Sequence, residues 1–258
     1  MSETVLYERH GRVAVVTLNR PEVLNAFNRQ LAHALRDAVM RAAGDRDVRA
    51  VVLRGAEGRF SAGADLKQGF PTDRRVEDLI NIDFRPTLDM IAGMEKPVIA
   101  AVAGPAAGIG LSFALACDLV VMAEDAYLLS PFAAIGLIPD GGATWLLVRQ
   151  LGYYRAYQLC IESERVPAAR CLALGLANRV VPAARLDAES LAWAESLAER
   201  APLALARTKL AMRAAMDLSL TQAIAYEAHL QTACLESEDA KEGIAAFLAK
   251  RKPEFKGR

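Results

Sequence analysis

The sequence of 258 residues contains little that could cross-link a fold or bind a metal. It has four cysteines and three histidines, and none of the cysteines forms a CxxC pair. Cysteine and histidine metal sites need ligands at short, recurring spacings, so the sequence predicts no metal site. Thiols outside a disulfide framework are typical of reducing compartments. We therefore predict a cytoplasmic protein with reduced, mostly buried cysteines.

An excess of charge of one sign is also missing, because 31 lysines and arginines are balanced by 31 aspartates and glutamates. Nucleic-acid binding normally requires a basic surface, so this balance argues against a nucleic-acid partner.

The uncharged stretch 97–117 has the length of a membrane span. It is interrupted by Gly104, Pro105, Gly108 and Gly110, which favours a buried strand, a turn and a buried helix. We predict no membrane partner.

Apolar segments of strand length alternate with a helical pattern in the first half of the chain. Leu31, Leu35, Ala38 and Ala42 recur at helical spacing and predict an amphipathic helix. Strands that are apolar on both faces indicate a sheet covered on both sides, and the alternation predicts an α/β fold. The predicted strands are Val13–Leu18, Ala50–Leu53, Val98–Val102 and Leu119–Met122.

The second half of the chain changes to helical patterns after about residue 140. A last helix is predicted to begin after Ser237, a favourable N-cap residue. The part from Ala201 onward is too short and too rich in alanine and leucine to form a core of its own. We therefore divide the chain into a core at 1–200 and a helical C-terminal region at 201–258. This region is expected to pack on its own body or on a neighbouring subunit.

Phe60–Leu66 reads FSAGADL and follows the predicted strand near Val51. Its small side chains would let a ligand approach the main-chain N–H groups closely. An ordinary tight turn would explain the same composition. From the local sequence alone, both interpretations remain open.

The second such segment, Gly104–Gly110, reads GPAAGIG and lies between a predicted strand and a predicted helix. The first N–H groups of a helix lack internal acceptors, so this segment could stabilise a developing oxyanion. A dinucleotide-binding fingerprint is the alternative interpretation. It fails because Phe113 stands where the third glycine is required.

Asp140 lies between Pro139 and two glycines in the run IGLIPDGGAT. An aspartate at this place could cap the helix that follows it. Alternatively, its apolar neighbours could desolvate the carboxylate and raise its pKa toward a value suited to proton transfer. Sequence alone does not decide between a helix cap and a catalytic carboxylate.

Taken in order, these three segments resemble the enoyl-CoA hydratase/isomerase (crotonase) superfamily. The resemblance extends to LNRPEVLNAF at 18–27, ALACDLVVMAEDA at 114–126 and EGIAAFLAKRKPEFKGR at 242–258. It implies a spiral of ββα units over roughly the first 200 residues. It also implies that the C-terminal helices assemble a homotrimer, with trimers often paired into hexamers.

The same resemblance implies an acyl-CoA thioester as the substrate, with coenzyme A as part of that substrate and no separate cofactor. The thioester oxygen would be held by the peptide N–H groups of Ala64 and Ile109, where many relatives have glycine at the second position. Lys250 is the candidate to contact the CoA phosphates, and the alternative is that it is a solvated cation at a helix end. The remaining implied substrate-binding positions are Glu22, Val23, Leu24, Ala62, Asp65, Leu66 and Phe132.

The chain departs from the family's hydratases at the two glutamates that activate water. Their positions correspond to Ser112 and Phe132, so ordinary hydration is disfavoured and Asp140 is the remaining carboxylate. The run GLIPDGGATW resembles aspartate-dependent isomerases, and most closely those that isomerise ring epoxides of phenylacetyl-CoA. We predict an acyl-CoA isomerase. The alternatives are an enoyl-CoA hydratase, an enzyme that cleaves C–X or C–C bonds, or a non-catalytic acyl-CoA-binding protein.

Overall fold

The computed structural model describes residues 3–69 and 75–258. The strands are β1 (Val5–His10), β2 (Val13–Leu18), β3 (Ala50–Gly55), β4 (Val98–Val102), β5 (Pro105–Ala107), β6 (Leu119–Ala123), β7 (Tyr127–Leu129), β8 (Val166–Pro167) and β9 (Arg179–Val181). The helices are α1 (Arg29–Gly44), α2 (Val76–Asp78), α3 (Arg85–Gly93), α4 (Ile109–Ala116), α5 (Ala143–Leu151), α6 (Tyr153–Glu162), α7 (Ala168–Leu174), α8 (Leu186–Ala198), α9 (Pro202–Ala215), α10 (Leu220–Leu235) and α11 (Glu238–Leu248). A π-helical turn at Leu79–Phe84 joins α2 to α3.

The larger sheet has the strand order β1-β2-β3-β4-β6-β9. β1 pairs with β2 in the antiparallel sense, and every later pairing in this sheet is parallel. The parallel strands therefore advance across the sheet in chain order, which is the progression of a spiral. β2 and β4 are buried along their whole length, and α8 packs across β2, β3, β4 and β6. This confirms the sheet covered on both sides.

A smaller sheet has the strand order β5-β7-β8, and its strands lie between strands of the larger sheet along the chain. After β4 the chain forms β5 and then α4, and after β6 it forms β7 before the next long helices. Each unit thus places one strand in the larger sheet, one in the smaller sheet and then a helix. This arrangement is the predicted ββα spiral, and it sets the starts of helices beside the smaller sheet.

The C-terminal helices are anchored to the core of the same chain. Lys209 and Arg213 on α9 both contact the carboxylate of Asp118, with N–O distances of 2.8 and 3.1 Å. All three side chains are at least partly buried, so this contact is protected from water better than a surface ion pair. Packing of the helical region on its own body, one of the two expected arrangements, is therefore present.

Two local predictions are confirmed in detail. The four apolar positions predicted for the first helix are all buried on α1. The Ser237 hydroxyl accepts a hydrogen bond from the N–H of Ala240, so it caps α11 as expected. None of the helices in the described residues has the length and apolar character needed to cross a bilayer.

Candidate active site

The segments FSAGADL and GPAAGIG run side by side in the structure. Ser61 and Ala106 form a parallel β-bridge, in which the Ala107 N–H donates to the Ser61 carbonyl at 2.9 Å. Moving three residues forward from each member of this pair leads to Ala64 and Ile109. The predicted pair of amide donors thus follows from the register of one short bridge.

Glycine is required where the two segments approach each other most closely. Gly63 has a φ of +98°, and a Cβ atom placed on it would lie 2.9 Å from the Ala107 carbonyl oxygen. A Cβ on Gly108 would lie 3.5 Å from the Cα of Gly63. A Cβ at Gly63 would push the two backbones apart, whereas at Gly108 the positive φ of +54° is what disfavours other residues. These two glycines therefore bring the following residues, Ala64 and Ile109, close to each other.

The peptide N–H groups of Ala64 and Ile109 are both available to a ligand. Across residues 3–69 and 75–258, neither group donates a hydrogen bond to another protein atom. Ile109 is the first residue of α4, where an N–H has no acceptor within the helix. Two free donors on adjacent segments form a site suited to an oxygen that gains negative charge.

Asp140 carries a carboxyl group that is desolvated and has one unpaired oxygen. Its Oδ1 atom is buried and has no hydrogen-bond partner among the described residues. Burial raises the pKa of this carboxyl to about 6, against a smaller opposing effect of its own backbone N–H. Such a pKa lets one carboxyl accept and return a proton near neutral pH.

The alternative role of Asp140 as a helix cap is not supported. The N-cap residue of α5 is Gly142, and no side chain donates or accepts a capping hydrogen bond there. The main-chain carbonyl of Asp140 accepts from the N–H of Ala143 at 3.1 Å, but its carboxylate is not part of this turn. The carboxylate is thus left for another role.

Side chains of α4 connect Asp140 to the second amide donor. The Ser112 hydroxyl donates to the main-chain carbonyl of Asp140 at 2.9 Å. A Cβ on Gly141 would lie 2.3 Å from the Cδ1 atom of Ile109 and 3.1 Å from Ser112. The turn that carries Asp140 therefore rests directly on the first turn of α4. Ser112, one of the two positions expected to hold glutamate in hydratases, supports the aspartate instead.

Phe132, the other such position, is buried and lies close to the second amide segment. Its Cζ atom would be 3.8 Å from a Cβ on Gly108. A phenyl ring at this position offers no group that could bind or activate water. Phe132 is thus placed as a wall of the site, consistent with the predicted substrate contact.

The structure adds Arg20, a residue that sequence reasoning missed. Its guanidinium contacts the Asp65 carboxylate at 3.0 Å and donates to the Ala26 carbonyl at 2.6 Å, and both charged side chains are almost fully buried. This ion pair fixes the residue that follows Ala64. Asp65, predicted as a substrate contact, is therefore engaged through its side chain in holding the amide segment. The dipeptide Arg20-Pro21 gave no signal of a partner 45 residues away.

Asn25, also missed, links the segment after β2 to the first amide segment. Its side chain donates to the carbonyls of Ala56 and Arg59, and its own carbonyl accepts from the Ser61 hydroxyl at 2.9 Å. The Leu24 carbonyl accepts from the Ala62 N–H at 2.9 Å. The predicted coenzyme-binding residues at 22–24 and 62–66 are therefore brought together as one surface.

The outer residues of that surface differ in exposure. Glu22, Leu24 and Leu66 are exposed, whereas Val23 and Ala62 are half-buried. Lys250 is exposed just beyond the end of α11 and forms no ion pair within the described part of the chain. Its predicted contact with phosphate stays a prediction.

Comparison with known proteins agrees with this geometry. The profile of the enoyl-CoA hydratase/isomerase family matches residues 8–258. The chain is 39% identical over 255 residues to a probable enoyl-CoA hydratase of Rhodobacter capsulatus, covering 99% of this chain and 98% of the relative. It is 37% identical over 259 residues to the 2,3-dehydroadipyl-CoA hydratase of Escherichia coli, covering both proteins completely.

Solved structures give the same result for the fold. The crystal structure of an enoyl-CoA hydratase from Polaromonas sp. JS666 superposes with a TM-score of 0.92 at 36% identity, covering 98% of this chain and 99% of that one. The resemblance found in the sequence is thus confirmed over nearly the whole length. The chain belongs to the enoyl-CoA hydratase/isomerase (crotonase) superfamily and is an acyl-CoA enzyme of that family.

Proposed function

We propose that this protein is an acyl-CoA isomerase that moves a double bond through a thioester enolate. The observation that carries the proposal is the Asp140 carboxylate, whose Oδ1 is buried without a partner among the described residues, in a turn that packs on Ile109. The N–H of Ile109 is one of the two free peptide donors. Moving a double bond needs one group that removes a proton and returns it. Adding water would need a group that also binds and activates the water.

In the proposed reaction, the thioester carbonyl oxygen accepts hydrogen bonds from the N–H groups of Ala64 and Ile109. The Asp140 carboxylate removes a proton from Cα of a β,γ-unsaturated thioester, and the electron pair of that bond moves toward the oxygen. The resulting dienolate takes the same proton back at Cγ, which leaves the double bond between Cα and Cβ. Loss of one N–H donor from such a site typically raises the barrier by about 3–4 kcal/mol.

The surroundings of Asp140 support this reaction over hydration. Ser112 and Phe132 replace the two glutamates that the resemblance assigns to water activation, and Phe132 is buried. No neighbouring charge contributes to the raised pKa of Asp140, so desolvation alone accounts for it. A desolvated carboxylate removes a carbon-bound proton more readily than a hydrated one.

Hydration of an enoyl-CoA is the second candidate function. It is favoured by the names of the relatives, which include probable enoyl-CoA hydratases and a 2,3-dehydroadipyl-CoA hydratase. In this chain a hydratase would have to use Asp140 alone to activate water. The finer resemblance to ring-epoxide isomerases of phenylacetyl-CoA remains part of the isomerase proposal.

The proposal also includes how the substrate and subunits are held. The exposed backbone at 22–24 and 62–66 would bind coenzyme A, and Lys250 would contact its phosphates from the same or a neighbouring subunit. The C-terminal helices expose several large apolar side chains, including Leu220, Ile224 and Phe247. Such a surface supports assembly into a homotrimer or hexamer.

The test is turnover of matched β,γ- and α,β-enoyl-CoA esters in ¹⁸O-labelled water, with products identified by mass and NMR. We expect the double bond to move without incorporation of ¹⁸O. The variant Asp140→Asn should lose turnover but still bind acyl-CoA, whereas Asp37→Asn, which alters an exposed aspartate on α1, should change neither. Labelled hydroxyacyl product would show a hydratase. Binding without turnover of any ester in the wild type would indicate a non-catalytic protein.

A further inference from the structure

A cavity of about 520 Å³ opens beside the turn that carries Asp140. It lies between α3 and α5, and its wall includes Gly141, Gly142 and Trp145 on the side of Asp140. Leu88 and Ala92 on α3 line the opposite side. This volume falls within the range of cavities that bind small organic ligands.

Gly141 lies between this cavity and the proposed reaction site. That residue lines the cavity, and it also packs on the side chains of Ile109 and Ser112. Ile109 supplies one of the two free N–H groups. An acyl chain that extends from a thioester carbonyl bound there and passes Asp140 would be directed toward this cavity.

One charged group in the cavity wall is not balanced. Arg213 donates through Nη2 to the Ala116 carbonyl at 3.0 Å and to Asp118 at 3.1 Å. The same carboxylate accepts from Lys209 at 2.8 Å and from the Val98 N–H at 2.9 Å. The Asp118 carboxylate is thus shared by two cations. Together, the side chains of Asp118, Lys209 and Arg213 carry a net positive charge. Neither Nε nor Nη1 of Arg213 has a hydrogen-bond partner in the described residues.

The other charges in the wall cancel. Arg85 and Asp89 lie one turn apart on α3, and their side chains contact each other at 3.2 Å. The rest of the wall is mostly apolar. The cavity therefore combines an apolar interior with one cation that has free donors. A carboxylate at the end of an apolar chain would complement both features, because charge-assisted hydrogen bonds to arginine are among the stronger ones.

We infer that this cavity binds the far end of the acyl group and that Arg213 selects acyl groups ending in a carboxylate. This inference rests on the proposed acyl-CoA function and names its substrate class. The apolar wall holds the methylene carbons, and the free guanidinium donors bind the terminal carboxylate. The Lys209 contact keeps Asp118 paired even when Arg213 is occupied by substrate.

The experiment measures binding of saturated thioesters, which the enzyme cannot isomerise or hydrate. An ω-carboxyacyl-CoA and the methyl-ended ester of equal length are titrated against the full-length protein by calorimetry. We expect the carboxylate-ended ester to bind about tenfold more tightly. In Arg213→Gln, which keeps a donor for the Ala116 carbonyl, this preference should fall below about twofold. Arg29→Gln, which removes an exposed charge at the start of α1, should preserve it.

A second variant tests the cavity without altering an ion pair. Ala92→Phe would fill the cavity and should weaken the binding of both long esters by about tenfold. The affinity for acetyl-CoA should not change. Unchanged affinity for the long esters in Ala92→Phe would overturn the inference, as would equal affinity of the wild type for the two esters. Both results leave the proposed function intact if acetyl-CoA still binds. Absence of binding by every acyl-CoA would overturn the proposed function as well.

Discussion

The Ser112 hydroxyl donates a hydrogen bond of 2.9 Å to the main-chain carbonyl of Asp140. Ser112 is fully buried on α4, and Asp140 lies in the turn before α5. The bond therefore joins the helix that begins with one amide donor to the proposed acid–base residue. It holds the carboxylate through its backbone and leaves the side chain unpaired.

Removing this bond should impair turnover more than binding. We expect Ser112→Ala to lower kcat roughly two- to tenfold with little change in KM, because a typical internal hydrogen bond contributes about 0.5–1.5 kcal/mol. Ser196→Ala is the matched control, since its hydroxyl donates to the Trp193 carbonyl at 2.7 Å on an exposed helix surface. A larger KM with unchanged kcat in Ser112→Ala would show that the serine does not position Asp140.

Asp140 should also reduce the stability of the fold near neutral pH. Its pKa is raised from 3.8 to about 6 by burial, so the folded state binds the proton more tightly than the unfolded state. The stability that this proton provides is fully present below about pH 4 and is lost as the pH rises through about 6. Asp140→Asn should therefore be more stable than the wild type at pH 7, by an amount on the order of 1–3 kcal/mol.

The measurement is urea unfolding of both proteins at several pH values between 4 and 8. The advantage of Asp140→Asn should grow between about pH 4 and pH 6 and level off above that, and Asp37→Asn should show no such trend. If Asp140→Asn gains stability and loses turnover, the Asp140 carboxylate is needed for the reaction although it lowers the stability of the fold. If the difference instead shrinks as the pH rises, the carboxylate is stabilised in the folded state by a partner.

Much of the fold was predictable because its signals are local. The four central strands of the larger sheet, β2, β3, β4 and β6, are mostly apolar on both faces, and Ser237 is a favourable cap directly before its helix. The amide pair at Ala64 and Ile109 came from the family resemblance, because its two members lie in segments far apart in the chain. The role of Asp140 could not be predicted from the local sequence. A helix cap and a desolvated catalytic carboxylate differ in whether water reaches the side chain. Only packing of the turn on Ile109 and Ser112 decides that.

Arg20 and Asp65 form the contact that sequence reasoning could not find, because it joins residues far apart in the chain. Both side chains are almost fully buried, at 10% and 6% exposure. Removing one partner leaves a buried charge uncompensated, so Arg20→Ala should destabilise the fold by about 3–5 kcal/mol. Arg75→Ala, which breaks the exposed contact with Glu77 at 3.0 Å, should cost less than about 1 kcal/mol.

A double variant separates the buried charge from simple loss of packing. Arg20→Ala combined with Asp65→Asn removes the orphan carboxylate and should recover part of the lost stability. Thermal and urea unfolding are measured on the wild type, on Arg20→Ala, on Asp65→Asn and on the double variant. Purely additive losses would mean that the pair is not coupled, and the arginine would then act mainly through its contact with the Ala26 carbonyl.

Gly141 and Gly142 provide a matched pair that tests the packing of the Asp140 turn. Both have positive φ, at +58° and +81°, so alanine is strained at either position. Only at Gly141 would the new Cβ collide, lying 2.3 Å from Ile109 Cδ1, whereas nothing lies within 4 Å at Gly142. Gly142→Ala should cost about 1–2 kcal/mol from backbone strain alone, and Gly141→Ala should cost about 1–3 kcal/mol more.

The collision can be relieved from the other side of the contact. Ile109→Val removes the Cδ1 atom but keeps the peptide N–H that is proposed to bind the thioester oxygen. Combined with Gly141→Ala, it should restore part of both the stability and the turnover that Gly141→Ala loses. The same substitution should not help Gly142→Ala, since that position does not touch Ile109. If Ile109→Val rescued both glycine variants equally, or neither, the first turn of α4 would not be what holds Asp140 in place.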